Sequence, residues 1–268
     1  MLARIVQVQH SNKVTTQMEP GLRLDKYEGK PHSVSDWWSH RSVIGSVMFM
    51  ANQLRPDVSF AVHHLAKFTS NPGPEHHRAL VRVVKYLSHT CNKKLTHWGA
   101  EPRSSRAGKC RVEGAADSSF NDCSNSERSS TGWGAWIDGV AKTRDVKKSG
   151  ATIWGTTMTK TVVTSSTMAE VLAACEAGKD TIWLRQPMGK LGYKQPGSSR
   201  ILEDNNGCIG QAYACRKAAK AKHYGRALGY LSELVNNGSV DLAKVETDEN
   251  PADMNTKALP REKFLKHS

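Results

Sequence analysis

The stretch Arg111-Val112-Glu113-Gly114-Ala115-Ala116-Asp117 decides the fold. It reads as a short, largely apolar strand that closes on a carboxylate, and the chain around it carries the same kind of signal. Residues 132–137 and 151–157 are two more short strands rich in Trp, Ile and Thr, with Asp138-Gly139 suited to a hairpin turn. Val162-Val163 lead into Ser165-Ser166-Thr167, an N-cap cluster, and Met168, Val171, Leu172 and Cys175 make the apolar face of the helix that follows. Residues 200–203 read as a buried strand ending at Asp204, and helical segments come next. The clearest of them carries Leu228, Leu231, Leu234 and Val235 up to Asn236-Asn237-Gly238. A last strand, 240–245, precedes Asn250-Pro251, a helix start with proline in first position. Three strands, a helix, a strand, helices, a strand and a helix predict an α/β layered domain.

Upstream the period changes to that of helices, after an irregular lead-in of about 35 residues. Val43, Ile44, Val47, Met48, Met50, Ala51 and Leu54 fall on one stripe, broken at Arg55-Pro56-Asp57. Val58, Ala61, Val62, Leu65 and Phe68 suggest a second helix, stopped by Asn71-Pro72-Gly73-Pro74. A third turns Leu80, Val83, Val84 and Leu87 inward and leaves Arg78, Arg82 and Lys85 toward solvent or a phosphate backbone. From Cys91 to Lys109 the periodicity fades into Gly, Ser, Pro and basic residues, the composition of a linker. Two units are expected, 1–105 and 106–268, and proteolysis should cut between them.

The chain has 38 Lys and Arg against 25 Asp and Glu, a formal net charge of +13 over 268 residues, which favours a polyanionic partner. Arg216, Lys217, Lys220, Lys222, His223 and Arg226 concentrate that charge, and on a helix Arg216, Lys220 and His223 share a face. They are candidate nucleic-acid contacts, or else a solvated face. No apolar run reaches the ~20 residues that cross a bilayer, and the opening MLARIVQVQH lacks the apolar core of a cleavable signal. A soluble intracellular protein with no membrane partner is expected. The six cysteines show no CxxC and no zinc-ligand spacing, so they read as reduced thiols.

Four acids stand in contexts that resemble the ribonuclease H segment of copia-type (Pseudoviridae) LTR retrotransposon Pol polyproteins. Ala116-Asp117, then Asn121-Asp122 and Arg128-Ser129-Ser130-Thr131-Gly132-Trp133, look like that family's first strand and the turn into its second. Ser165-Ser166-Thr167-Met168-Ala169-Glu170 and Ile182-Trp183-Leu184-Arg185, Asp204-Asn205, and Ala252-Asp253 with Thr256-Lys257-Ala258-Leu259-Pro260 continue the match. The front third resembles the same polyproteins at Met18-Glu19-Pro20-Gly21-Leu22, Arg41-Ser42-Val43-Ile44-Gly45-Ser46, Arg55-Pro56-Asp57 and Ser70-Asn71-Pro72-Gly73-Pro74-Glu75-His76. No adjacent Asp-Asp pair occurs, so the acidic centre of a polymerase palm cannot be assembled from this chain.

The resemblance implies a ribonuclease H-like fold, a mixed five-stranded sheet with helices, preceded by a smaller helical reverse-transcriptase tail or connection region. It implies hydrolysis of the RNA strand of RNA–DNA hybrids, with Asp117, Glu170, Asp204 and Asp253 as catalytic and metal-binding residues for two Mg²⁺ or Mn²⁺ ions. The implied partners are the hybrid and the polymerase portion of the polyprotein, in a cytoplasmic virus-like particle or the nucleus. Simpler roles compete for two of the acids: Glu170 closes a capping box with Thr167, and Asp253 sits in a first helical turn. Met168 stands where the family has a first glutamate, and Tyr224-Gly225 and Leu228-Gly229 replace its usual residues. A non-catalytic nucleic-acid-binding remnant is therefore the second reading. An integrase or transposase of the DDE class is disfavoured, because that series ends on glutamate.

Overall fold

The computed structural model describes residues 13–30, 39–97, 110–120, 128–139, 149–193, 195, 197–214 and 224–268. The chain divides into two compact units, Met1–Lys94 with Lys257–Ser268, and Leu95–Thr256. Of the linker read from Cys91 to Lys109, residues 98–109 lie outside the described residues.

The first unit is helical. α1 (His40–Gln53) buries Val43, Ile44, Val47 and Ala51 of the stripe read from the sequence, whereas Met48 and Met50 are half-buried and Leu54, just past the helix end, is exposed. Pro56 ends that ladder and opens a 3-10 turn, Pro56–Val58, before α2 (Ser59–Ala66). α3 (Pro74–His89) starts with proline at its first position, and the Gly73 N–H is held by His76 Nδ1 at 2.8 Å. Asp57, only 3% exposed, is fixed by two Arg55 bonds of 2.9 Å and by the Tyr86 hydroxyl at 2.6 Å, with Lys93 Nζ 3.6 Å away. Lys93 also reaches Ser268 at 2.6 Å, and the Phe264 ring meets Tyr86 edge-on at 5.6 Å.

The second unit is a five-stranded sheet with helices. β1 (Cys110–Ser119), β2 (Ser130–Gly139) and β3 (Ile153–Met158) run antiparallel, whereas β4 (Ser199–Glu203) and β5 (Val240–Lys244) continue parallel from β1 in the order β3-β2-β1-β4-β5. This is the ribonuclease H-like architecture that the resemblance implies. α4 (Ser166–Lys190) lies on the sheet, with α5 (Asn206–Ala214) and α6 (Gly225–Asn236) completing the core. Small residues allow the close approach. A Cβ on Gly114 of β1 would sit 3.0 Å from Thr181 Oγ1 of α4, and Ala116, Ala173, Ala174 and Ala177 are fully buried beside it.

Two local expectations are corrected. Asp138 and Gly139 are the last residues of β2 rather than a turn, and Asp138 accepts bonds from Ser149 N and Trp136 Nε1. The cap of α4 is Ser165, whose hydroxyl accepts from Met168 N at 3.2 Å. Thr167 is therefore already helical and closes no capping box, which removes the simpler role considered for Glu170. Among the described residues no helix is long and apolar enough to cross a membrane.

Candidate metal centre

The parallel pairing of β1 with β4 sets the site. Ala115 is in register with Leu202, so two residues further on Asp117 comes level with Asp204, just past the end of β4. Glu170 is delivered from the second turn of α4, which crosses the same part of the sheet. One carboxylate oxygen from each of Asp117, Glu170 and Asp204 lies within 4.8 Å of the other two. Asp253 is fully buried nearby in sequence to Asn255 and Thr256, in the 3-10 turn Pro251–Asn255, and lies outside that three-oxygen group. The Arg216 to His223 part of the basic stretch lies outside the described residues, and Arg226 is exposed on α6.

The turn carrying Asp253 is stitched to three strands by side chains. Asn250 Nδ2 donates to Ala116 O of β1 at 2.8 Å while its Oδ1 caps Ala252 N. Asn255 Nδ2 donates to Trp133 O of β2 at 3.0 Å, and Thr156 Oγ1 of β3 donates to Asn255 O at 2.9 Å. Thr256 Oγ1 reaches both Asp117 Oδ2 and Asp253 O. Gly132, which pairs with Asp117 across β1 and β2, makes room for this segment: a Cβ there would lie 2.7 Å from Asn255 Cβ and from Thr256 Cγ2.

Burial dominates the electrostatics. It pushes the Glu170 carboxyl well above the ordinary range, and the charges of Glu203, Asp117 and Asp204 push it further. Glu203 is raised in the same way, by burial first and then by Asp204 and Asp117. Glu203 was missed in the sequence because it reads as the last apolar-strand position before Asp204. It is fully buried, and Oε1 accepts from Asn205 N at 3.0 Å while Oε2 has no N–H or O–H donor among the described residues. Glu170 Oε2 has no such donor among the described residues either. Buried carboxylate oxygens without donors are costly unless a cation joins them, and an all-oxygen set suits a hard divalent ion. The residues fit a metal.

No protein-family model matches the chain. The retrovirus-related Pol polyprotein from transposon TNT 1-94 of Nicotiana tabacum is 32% identical over 225 residues, covering 84% of this chain and 16% of that protein. The Pol polyprotein from transposon RE1 of Arabidopsis thaliana is 26% identical over 254 residues, 94% of this chain and 16% of that relative. Over most of its length the chain matches copia-type Pol polyproteins. It spans about 16% of the length of either relative. Among solved structures, RNase H1 from Halobacterium salinarum NRC-1 is similar at 15% identity and TM-score 0.36, over 59% of this chain and 99% of that one. The acidic cluster falls entirely in the ribonuclease H-like unit, together with Glu203 and the Thr256 hydroxyl.

Proposed function

We propose that the Leu95–Thr256 unit is a ribonuclease H that hydrolyses the RNA strand of RNA–DNA hybrids during reverse transcription. The observation that carries this reading is the cluster of Asp117, Glu170 and Asp204 oxygens within 4.8 Å, Asp117 and Glu170 buried and Asp204 partly so, with no donor on Glu170 Oε2 among the described residues. Asp117, Glu170 and Asp204 would hold divalent ions, Mg²⁺ or Mn²⁺, with Asp253 completing the set. Such ions would supply an activated water and offset charge on the leaving oxygen. The chain's own part is positional. β1 and β4 fix two carboxylates on a rigid sheet, and α4 sets the third from above. The net charge of +13 favours the hybrid's phosphates, and the Arg216 to Arg226 stretch grips the backbone without reading bases. The partners are the hybrid and the polymerase portion of the polyprotein.

A labelled RNA–DNA hybrid incubated with the protein tests the reading. Cleavage is expected with Mg²⁺ or Mn²⁺, none with chelator, and none in Asp117→Asn. Cleavage that persists with chelator sinks the metal assignment. A wild-type protein that binds hybrid tightly and never cuts it identifies instead a non-catalytic nucleic-acid binder.

A further inference from the structure

The geometry points to Thr256 as a positioning residue that orients Asp117 for the cation and couples that carboxylate to the Asp253 main chain. The inference rests on the metal-centre reading above and extends it to a residue outside the acidic set. Thr256 is fully buried, so its hydroxyl has no water to turn to. Two acceptors are within reach, Asp117 Oδ2 and, at 3.1 Å, Asp253 O. A hydroxyl carries one proton and serves one acceptor at a time. Toward Asp117 it fixes the rotamer of a buried carboxylate and compensates its charge. Toward Asp253 O it ties the 3-10 turn that bears the fourth acid.

The backbone around Thr256 is arranged for this contact. Gly132 sits directly across from Asp117, and any side chain there would collide with Asn255 and Thr256, including Asn255 C at 2.8 Å. The three bonds from Asn250, Asn255 and Thr156 hold the segment flat against the strands, so the hydroxyl arrives at Asp117 by fixed backbone rather than by a flexible tether. Hydrogen-bond partners of metal ligands hold those ligands in orientation, and losing one commonly costs 10–100-fold in affinity.

The experiment is a titration of Mn²⁺ into the full chain by calorimetry, alongside the thermal shift that Mn²⁺ produces. Thr256→Val, nearly isosteric, is expected to bind Mn²⁺ at least about tenfold more weakly, with a smaller Mn²⁺-induced rise in Tm. Its Tm in chelator should fall by only the few degrees that one lost buried hydrogen bond costs, and Thr256→Ser should bind within about threefold of wild type, because serine restores the hydroxyl. Thr256→Ala, which cannot clash, serves the same purpose should the valine variant fail to fold. Wild-type affinity in Val and Ala overturns the role of Thr256 while leaving the metal centre standing. Equal weakening in Ser, or an equal drop in Tm with and without Mn²⁺, reduces Thr256 to a packing residue and also overturns it. A wild-type protein that takes up no Mn²⁺ overturns the metal-centre reading itself.

Discussion

Both units bury carboxylates, and they treat them in opposite ways. In the helical unit Asp57 meets two Arg55 nitrogens, the Tyr86 hydroxyl and the Lys93 ammonium. Burial alone would raise its carboxyl, but the Arg55 bonds and charge, with Tyr86 and Lys93, outweigh burial and hold it below the ordinary range. In the sheet unit neither Glu170 nor Glu203 forms an ion pair among the described residues, each leaves an oxygen without an N–H or O–H donor, and both are raised. Asp57 is a finished structural device. The Glu170 and Glu203 neighbourhood is stable only in company, either of protons or of a cation from outside. A buried acid by itself therefore says little about function, whereas the presence or absence of its counter-charge says a great deal.

The largest expected effect separates the two sites by activity. Asp117→Asn keeps the shape and removes a charge, so hybrid cleavage should fall by more than the ~100-fold that loss of an outer-shell partner costs. Asp57→Asn should instead leave cleavage per folded molecule unchanged. Its cost is in stability, about 3–5 kcal/mol, because Arg55 and Lys93 stay partly buried without their anion. Initial rates with labelled hybrid and urea unfolding of both variants check the pair. A stable, inactive Asp57→Asn protein would break the distinction.

Acidity and alkalinity should also separate the units. Burial first, then neighbouring charge, pushes His40 and His64 of the helical unit from 6.5 down to about 4. Between those values the unfolded chain binds more protons than the folded one, so this unit loses stability as pH falls from about 6.5 to about 4. For Glu170 and Glu203 the folded values are raised. Their contribution is complete below the unfolded value near 4.5 and is lost as pH rises through the higher folded values. Hydrogen exchange read separately on peptides of each unit, in chelator, should show the helical unit opening first in acid and the sheet unit first in alkali. Mg²⁺ should restore only the alkaline loss. An Mg²⁺ effect on the helical peptides, or none on the sheet peptides, contradicts the comparison.

Local pattern carried most of the fold. Val43, Ile44, Val47 and Ala51 announced α1, Pro56 and Pro74 marked breaks, and short apolar runs closing on Asp117 and Asp204 marked β1 and β4. The site was different. Composition and periodicity left its acids without a task, and the grouping of Asp117, Glu170 and Asp204 was suggested by resemblance to copia-type proteins. Thr256 stood in the sequence only as part of the terminal segment's resemblance, and its contact with Asp117 could not be read, since it spans 139 positions and only the completed sheet creates it. Ser165 displaced Thr167 as the cap because a helix start cannot be fixed to within two residues when three hydroxyls are adjacent. Gly139 stayed in β2 although Asp-Gly is strong turn chemistry, because β1 offers it a partner in Cys110.

Glu203 gives the finest test, because the same acid-to-amide change made at Asp57 should here act with the opposite sign. At Asp57 the amide strands two cations; at Glu203 it removes a buried charge that faces Asp204 and Asp117 and has no cation of its own among the described residues. Glu203→Gln keeps the oxygen that accepts from Asn205 N and adds an NH₂ that neighbouring carboxylates can accept from. In acid, where Glu203 is protonated, the two proteins should be equally stable. As pH rises through its raised folded value the wild type bears the cost of ionising a buried group, and the amide does not. The metal-free variant should then be more stable by ~1–3 kcal/mol, the usual cost of one unsatisfied buried polar group. Thermal unfolding in chelator across the pH range measures the difference between the curves. Curves that stay parallel would mean that Glu203 feels no repulsion from the cluster, and the contrast with Asp57 would then rest on Glu170 alone.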